Sequence, residues 1–372
     1  MKIFLSYGYR PYTTAVYFEK VFLGEHEVVY VGPPFAERPG YLPNEDVSDL
    51  AEEIGCPDLF FFIEPGINFF PRGLERIACP TACYLIDVHC DLRVRELYAP
   101  FFDYIFVAQK DYVQHFKDIG HKNVYWLPLG CDPEIHGEEP TERIYDIGFV
   151  GKTMGANHPR GRLLHRISER YTTNDFNKFY PKEDITAIYS RSKIVVNIPV
   201  NGDLNMRVFE AMASGALLIT ETISNGQREF FQEGVHIVEY KNETDLFGRI
   251  DYYLKNEKER EGIARAGQQL VLGEHTYKQR SKFVIDTVLK DTPADYTAKI
   301  RTMSARDIHY HYARVYTLLR LVDPVIAEIR NAYKTHNLSI KLWLELAKSL
   351  LRSVNEFIPL TPRARKARKD GH

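Results

Sequence analysis

Between Asn205 and Thr222 the chain reads NMRVFEAMASGALLITET, an apolar run of small residues interrupted by one acidic residue, Glu210. Asn205 is placed to cap a helix, Val208 and Met212 share one helical face, and Gly215 stands where a helix end favours a left-handed residue. The carboxylate therefore falls in the first turns of a short helix. There it is either a surface group stabilised by the helix dipole or a ligand for two hydroxyls of a ribose. In the second case the free N–H groups of the helix start would take a phosphate.

Other groups with chemical potential lie at the ends of apolar runs. Asp87 and His89 follow ACYLI in the segment DVHCDLR, where a histidine is either structural or a general base. After the first apolar run comes YGYRPYTT, in which Gly8 permits a tight turn and Arg10 can meet a phosphate or an acidic acceptor. Glu64 and Asn68, in EPGIN, are weaker candidates of the same kind. Cys79, Cys83, His89 and Cys90 match no zinc spacing and are expected to be buried thiols.

These residues need a scaffold, and the hydrophobic pattern supplies one. KIFLSYG, EVVYVG, DLFFFIEP, ACYLIDV, YIFVAQ and NVYWLPLG read as strands, with helical stretches at 44–54 and 111–119 between them. Near-continuous apolar strands alternating with helices imply a parallel sheet covered on both faces. Residues 130–143 are polar and rich in Pro and Gly, as a linker would be. The pattern then restarts: YDIGFVG, NDFNKFY, IVVNIPV, ALLITET and VHIVEY read as strands, and 158–170 and 183–190 as helices. Residues 243–290 read as mostly helical, and no strand is evident after them.

Bulk composition agrees with two α/β domains. The chain has 372 residues, 44% of them hydrophobic, and a net charge of −2, which argues against a nucleic-acid binder. No apolar run is long enough to cross a bilayer, the N-terminal run is too short for a signal peptide, and five scattered cysteines suit a reducing cytoplasm.

FEAMASGALLIT resembles the donor-binding segment of GT-B glycosyltransferases of group 1 (family 4-like). LNMRVFEAMASGALLITE, DYYLKNEKEREGIARAGQQLV and EHTYKQR, with YDIGFVG ahead of them, resemble more narrowly the CgeB-like spore-maturation branch. LPLGCDP is similar to the segment that ends the first domain of these enzymes. The resemblance spans roughly 123–285. It implies an α/β GT-B fold: an N-terminal Rossmann-like acceptor-side domain at 1–135 and a nucleotide-sugar domain at 143–276. A segment at 277–372 would then cross back over the first domain through EHTYKQRSKFVIDTVLK. It also implies a hexose-like unit moving from a nucleoside diphosphate sugar, with UDP as the expected carrier, to a protein, polysaccharide precursor or small-molecule hydroxyl. Cell-surface or spore polysaccharide is the expected setting.

Under that resemblance Glu210 is the ribose ligand. Many members of the wider group carry a second, sugar-contacting glutamate eight positions earlier; here that place is Gly202, with Asp203 as the nearby substitute. The leaving diphosphate needs positive charge or backbone N–H groups. Lys152, Arg160, Arg162 and Arg207 are the candidates; Asn205 is expected to cap its helix, touch phosphate or do both, and Gly151 to let backbone approach the donor closely. The fold resemblance implies no metal and no cofactor beyond the donor itself. An inverting reaction would use Asp87 or His89 as base. A retaining one, which the wider group favours, needs no protein nucleophile. The alternatives are a non-catalytic nucleotide-sugar-binding protein and a nucleotide-sugar epimerase.

The last helical patterns lie within 305–353, followed by PRARKARKDGH. They are expected to pack on the enzyme or on a second copy. A Trp/Leu helix and a basic tail over 338–369 also suit peripheral contact with an anionic membrane.

Overall fold

The computed structural model describes residues 1–10, 13–35, 40, 45–64, 68–290 and 297–335. Six runs form one parallel sheet: β1 (Lys2–Ser6), β2 (Glu27–Val31), β3 (Leu59–Ile63), β4 (Thr81–Leu85), β5 (Tyr104–Val107) and β6 (Val124–Trp126). Their order is β2-β1-β3-β4-β5-β6. Every residue of β3, β4 and β5 is buried, because α1 (Ala15–Glu25), α2 (Val47–Ile54), α3 (Leu92–Tyr98) and α4 (Val113–Asp118) connect the strands and cover the faces.

The second unit holds a four-stranded parallel sheet. Its strands are β7 (Tyr145–Gly148), β8 (Ser192–Asn197), β9 (Leu217–Glu221) and β10 (Val238–Tyr240), in the order β10-β9-β8-β7. The connecting helices are α6 (Pro159–Arg170), α7 (Lys182–Ser190), α8 (Met206–Ala213) and α9 (Gln227–Phe230). A short helix, α5 (Pro133–His136), lies between the two units.

Three expectations need correction. NDFNKFY is not a strand: Thr173 alone makes an isolated bridge to Ile147. Asn174 then uses its side-chain amide to pair with the backbone N–H and C=O of Phe149, at 3.0 and 2.9 Å. Asp175 accepts the N–H of Asn177 at 2.9 Å, which turns the chain away from the sheet. Next, the 130–143 segment is not a solvated linker throughout, since Cys131, Asp132 and His136 are buried and Asp132 caps α5 through Glu134 N–H. Finally, Cys90 is exposed, although Cys79 and Cys83 are buried as expected.

Three helices follow β10: α10 (Glu243–Lys255), α11 (Glu257–Glu274) and α12 (Tyr277–Val288). The chain returns to the first unit at α12. Cys131 and Thr276 form a parallel bridge, with Cys131 N–H donating to His275 C=O at 3.0 Å and Tyr277 N–H to Cys131 C=O at 2.9 Å. Buried Arg280 clamps the crossing by donating to the carbonyls of Pro128 and Leu129 and to His275 Nδ1. Tyr277 stacks on Tyr17 of α1 with ring centroids 4.7 Å apart, and Phe283 meets Phe106 of β5 edge-on. On the other side Trp126 stacks on Phe230 at 4.6 Å, so aromatic contacts join the two units at more than one place.

The described chain closes with α13 (Ala305–Leu318) and α14 (Val322–Thr335), packed on the first unit rather than the second. Tyr312 donates to Glu75 and accepts the Leu74 N–H at 3.0 Å. No helix among the described residues is long and apolar enough to cross a membrane. The segment 338–369, expected to touch a membrane, lies outside the described residues.

Candidate active site

At the carboxyl ends of β7 and β8 the second sheet sets its polar residues against the start of α8. Asn197, the last residue of β8, is fully buried. Its Oδ1 accepts from Arg207 Nη1 at 2.8 Å and from Asn205 Nδ2 at 3.1 Å, while its own amide donates to Thr220 Oγ1 at 3.0 Å. Asn205 thus occupies the N-cap position of α8 without capping it through its side chain. Val208 N–H turns back to Asn205 C=O at 3.2 Å, and the N–H groups of Met206 and Arg207, ahead of the first intrahelical bonds, are where a ligand or solvent can be met.

Arg207 is the brace of this corner. Its Nε and Nη2 donate to Val150 C=O at 3.1 and 2.9 Å, and its guanidinium lies 4.3 Å from the centroid of the Phe149 ring. Five N–H groups are available on a guanidinium, so donors remain for a phosphate after these three bonds. Gly151 makes the close approach feasible: its φ is +145°, and a Cβ there would stand 2.4 Å from Arg207 Nη2. Gly151→Ala is expected to push Arg207 off the loop and to destabilise the fold by roughly 1–3 kcal/mol, the range for forced backbone strain. Urea unfolding checks this, with nucleotide titration as the second reading.

Glu210 lies one turn further along α8 and is buried, at 8% exposure. Burial pushes its carboxyl up to about 7 against the opposing pull of Arg207. Its Oε1 is 3.7 Å from His136 Nε2 of α5. The surface, dipole-stabilising alternative for Glu210 is therefore excluded. Gly215 ends the helix as expected, at φ +73°.

The other expected phosphate cations separate into different environments. Arg160 is buried, donating to Lys152 C=O at 3.1 Å and to Ile198 C=O, so it holds the loop from behind instead of reaching a ligand. Burial, with Arg207 nearby, lowers its guanidinium to about 10. Arg162 is exposed, donates to Asn157 C=O at 2.6 Å, and lines a groove of about 690 Å³ with Thr153, His165, Asn174 and Asn177. Lys152 is exposed on the loop after β7. Gly8 is buried just beyond β1, and Arg10 is exposed on the same loop. That loop reaches the second unit, since Thr14 Oγ1 contacts Met206 Sδ at 3.8 Å.

Facing α8 from the first unit is the turn after β4. Asp87 adopts a left-handed conformation, φ 52°, which Asp tolerates better than most residues. The turn is fixed from behind. Glu64 accepts the Ile86 N–H at 3.1 Å and pairs with Arg95, and Arg95 donates to Ile86 C=O and Asp91 C=O. Glu64, proposed as an acceptor-side group, is instead this buttress; burial raises its carboxyl to about 7 despite Arg95. Asn68 is exposed. The ligating atoms of Asp87, His89 and Asp203 all lie within 4.8 Å of one another, although the first two come from one unit and Asp203 from the other. Desolvation and the Asp203 carboxylate raise the Asp87 carboxyl, with His89 opposing. None of the cysteines takes part in this cluster.

Sequence reasoning missed Asn197, His136 and Tyr17. Asn197 carried a signal, a polar residue ending the apolar run IVVN. His136 lay in a stretch read as linker, and Tyr17 lies in α1 among apolar neighbours that give no chemical signal.

A glycosyl transferase-like family model matches residues 139–286. Among solved structures, Anabaena HepE in complex with UDP and glucose superposes with a TM-score of 0.58 at 13% identity, covering 78% of this chain and 100% of that one. A glycosyltransferase from Rickettsia africae gives 0.57 at 10% identity, with 78% and 99% covered. Sucrose-phosphate synthase from Thermosynechococcus elongatus gives 0.55 at 10%, with 78% and 98% covered. No curated protein matches the chain by sequence. The chain thus has the GT-B fold of two facing Rossmann-like domains, and its second domain is glycosyl transferase-like.

Proposed function

We propose that the protein transfers a sugar from a nucleoside diphosphate sugar to an acceptor hydroxyl, with the donor held in the cleft between the domains. One observation carries this reading: Glu210, Arg207 and the open start of α8 converge at the strand ends of the second sheet, opposite Asp87 and His89. In parallel α/β sheets ligands bind at such strand ends. Glu210 would accept the ribose hydroxyls. Arg207, Lys152 and the N–H groups of α8 and the Gly151 loop would take the diphosphate, stabilising the charge that grows as the glycosidic bond breaks. The sugar would then lie near Asp203, His89 and Asp87, with the acceptor entering past Gly8 and Arg10.

We read the reaction as retaining and metal-independent. The leaving phosphate oxygen would take the acceptor proton on the face it vacates, so no protein nucleophile is required. UDP is the favoured carrier, because HepE, which shares the fold, binds UDP and glucose. The similarity to the CgeB-like branch favours a cytoplasmic enzyme acting on a protein or a spore or surface polysaccharide precursor. A second copy or an anionic membrane would be met through the C-terminal region. A non-catalytic role is the competing reading, favoured by Gly202 standing where a sugar-contacting glutamate is usual.

The test is a thermal-shift panel of UDP-, GDP- and ADP-sugars followed by donor hydrolysis, with and without a chelator. Stabilisation by one donor class and slow release of free nucleoside diphosphate, unchanged by the chelator, are expected. Binding without release supports the non-catalytic role, and an isomerised donor supports an epimerase. Dependence on a divalent cation would reassign Asp87, His89 and Asp203 as its ligands.

A further inference from the structure

The surroundings of Glu210 contain a device that the donor-binding reading does not use. His136 is 1% exposed, and its Nδ1 accepts the Asp132 N–H at 2.9 Å. The ring proton therefore sits on Nε2. That atom faces two oxygens: Tyr17 OH at 3.3 Å and Glu210 Oε1 at 3.7 Å. The second distance is beyond a formed hydrogen bond, so in the free protein the two groups are close neighbours rather than bonded partners.

Each group comes from a different part of the fold. Tyr17 belongs to α1 of the first domain, His136 to the helix between domains, and Glu210 to α8 of the second. The imidazole is itself anchored. Asp132, whose backbone fixes Nδ1, is paired with Lys20 of α1 at 2.6 Å and caps α5 through Glu134 N–H. Tyr17 is held by its stack on Tyr277 and by Lys182, which lies 5.5 Å from its ring centroid. Burial lowers the His136 imidazole to about 4, so it stays neutral and acts as a single-proton donor rather than as a counter-ion.

We infer that His136 is a positioning residue for Glu210, orienting the carboxylate toward the ribose and linking it through Tyr17 to the first domain. This rests on the reading of Glu210 as the ribose ligand. A carboxylate that must accept two hydroxyls in fixed geometry gains from one fixed donor on its far oxygen, because the remaining lone pairs then point in one direction. Tyr17 shares the same proton. A shift of α1 relative to α8 would therefore change how much of that proton Glu210 receives, and donor affinity would follow domain orientation.

The test separates positioning from packing. Calorimetry measures the affinity of whichever of UDP, GDP or ADP the wild type binds most tightly, and of its 2′,3′-dideoxy counterpart, for the wild type, Glu210→Ala, His136→Gln and His136→Asn. Glutamine can place an N–H where Nε2 stood. Asparagine can still accept the Asp132 N–H but is too short to reach Glu210. The wild type is expected to prefer the ribose form, Glu210→Ala to lose that preference, His136→Gln to keep it, and His136→Asn to lose about tenfold of it, the worth of one hydrogen bond to a charged group. Loss in Glu210→Ala together with equal behaviour of the two His136 variants overturns the positioning role. If Glu210→Ala keeps the preference, the ribose assignment itself fails.

Discussion

Replacing Glu210 with alanine is expected to lower nucleoside diphosphate affinity by roughly a hundredfold or more at pH 8. Two hydroxyl donors lose a charged acceptor, and each such bond is worth about 1.5–3 kcal/mol. Calorimetry on the folded variant measures it, and an unchanged affinity removes Glu210 from the site. The variant should fold, because the Glu210 carboxylate accepts no hydrogen bond of normal length among the described residues, while its backbone C=O keeps the bonds from Ser214 N–H and Oγ–H at 3.1 and 2.9 Å. Its buried carboxyl is a burden on the free protein instead. A carboxyl raised from 4.5 to about 7 by burial favours the folded state while protonated. That contribution is complete below pH 4.5 and is lost as pH rises through 7. The wild type should therefore lose up to about 3 kcal/mol relative to Glu210→Gln across that window. Denaturant unfolding at several pH values reads the difference directly.

Replacing Arg207 with alanine is expected to cut turnover by about 10²–10³, the cost of removing one group that stabilises developing charge. The structure adds a second consequence. Arg207 holds Val150 C=O twice and Asn197 Oδ1 once, and stacks on Phe149. Its loss should cost about 1–3 kcal/mol of stability, since Val150 C=O and the buried Asn197 Oδ1 lose their charged donor and keep only Tyr189 Oη–H at 3.4 Å and Asn205 Nδ2–H at 3.1 Å. Arg207→Lys should restore neither property, because one ammonium cannot span both acceptors and stack at once. Donor hydrolysis at saturating donor, alongside thermal melts, separates the two effects. A wild-type rate for Arg207→Ala would refute its assignment to the phosphate site.

The strands were legible in the sequence because parallel strands buried on both faces are written as unbroken apolar runs, and LFFFI and TACYL are buried at every position. NDFNKFY misled because its aromatic residues suggest a strand, whereas the Asn174 side chain takes the Phe149 backbone in place of a strand partner and Asp175 turns the chain by accepting Asn177 N–H. In the site, Glu210 and Arg207 stood out as charges within a helix start next to an apolar strand. The roles of Arg160 and Glu64 were hidden, because sequence shows that a charge exists but not which carbonyl or ion it will face. His136 was hidden for a related reason. Its function depends on α1 and α8 meeting at α5, and those elements are far apart in sequence.

The C-terminal helices have a consequence for how the protein is made. Tyr312, Tyr316, Val325 and Ile329 share one core with Phe62, Phe70 and Phe101. The backbone of Ala298 and the side chain of Arg301 both satisfy Asp103 beside β5. One face of the first domain is therefore finished by residues that leave the ribosome only after the entire second domain. During translation that domain must wait, with aromatic side chains uncovered, while the entire second domain is synthesised. A chain cut before α13 would carry both halves of the donor cleft and still present a sticky surface, so chaperone demand and proteolytic loss should be governed by the synthesis of α13 and α14.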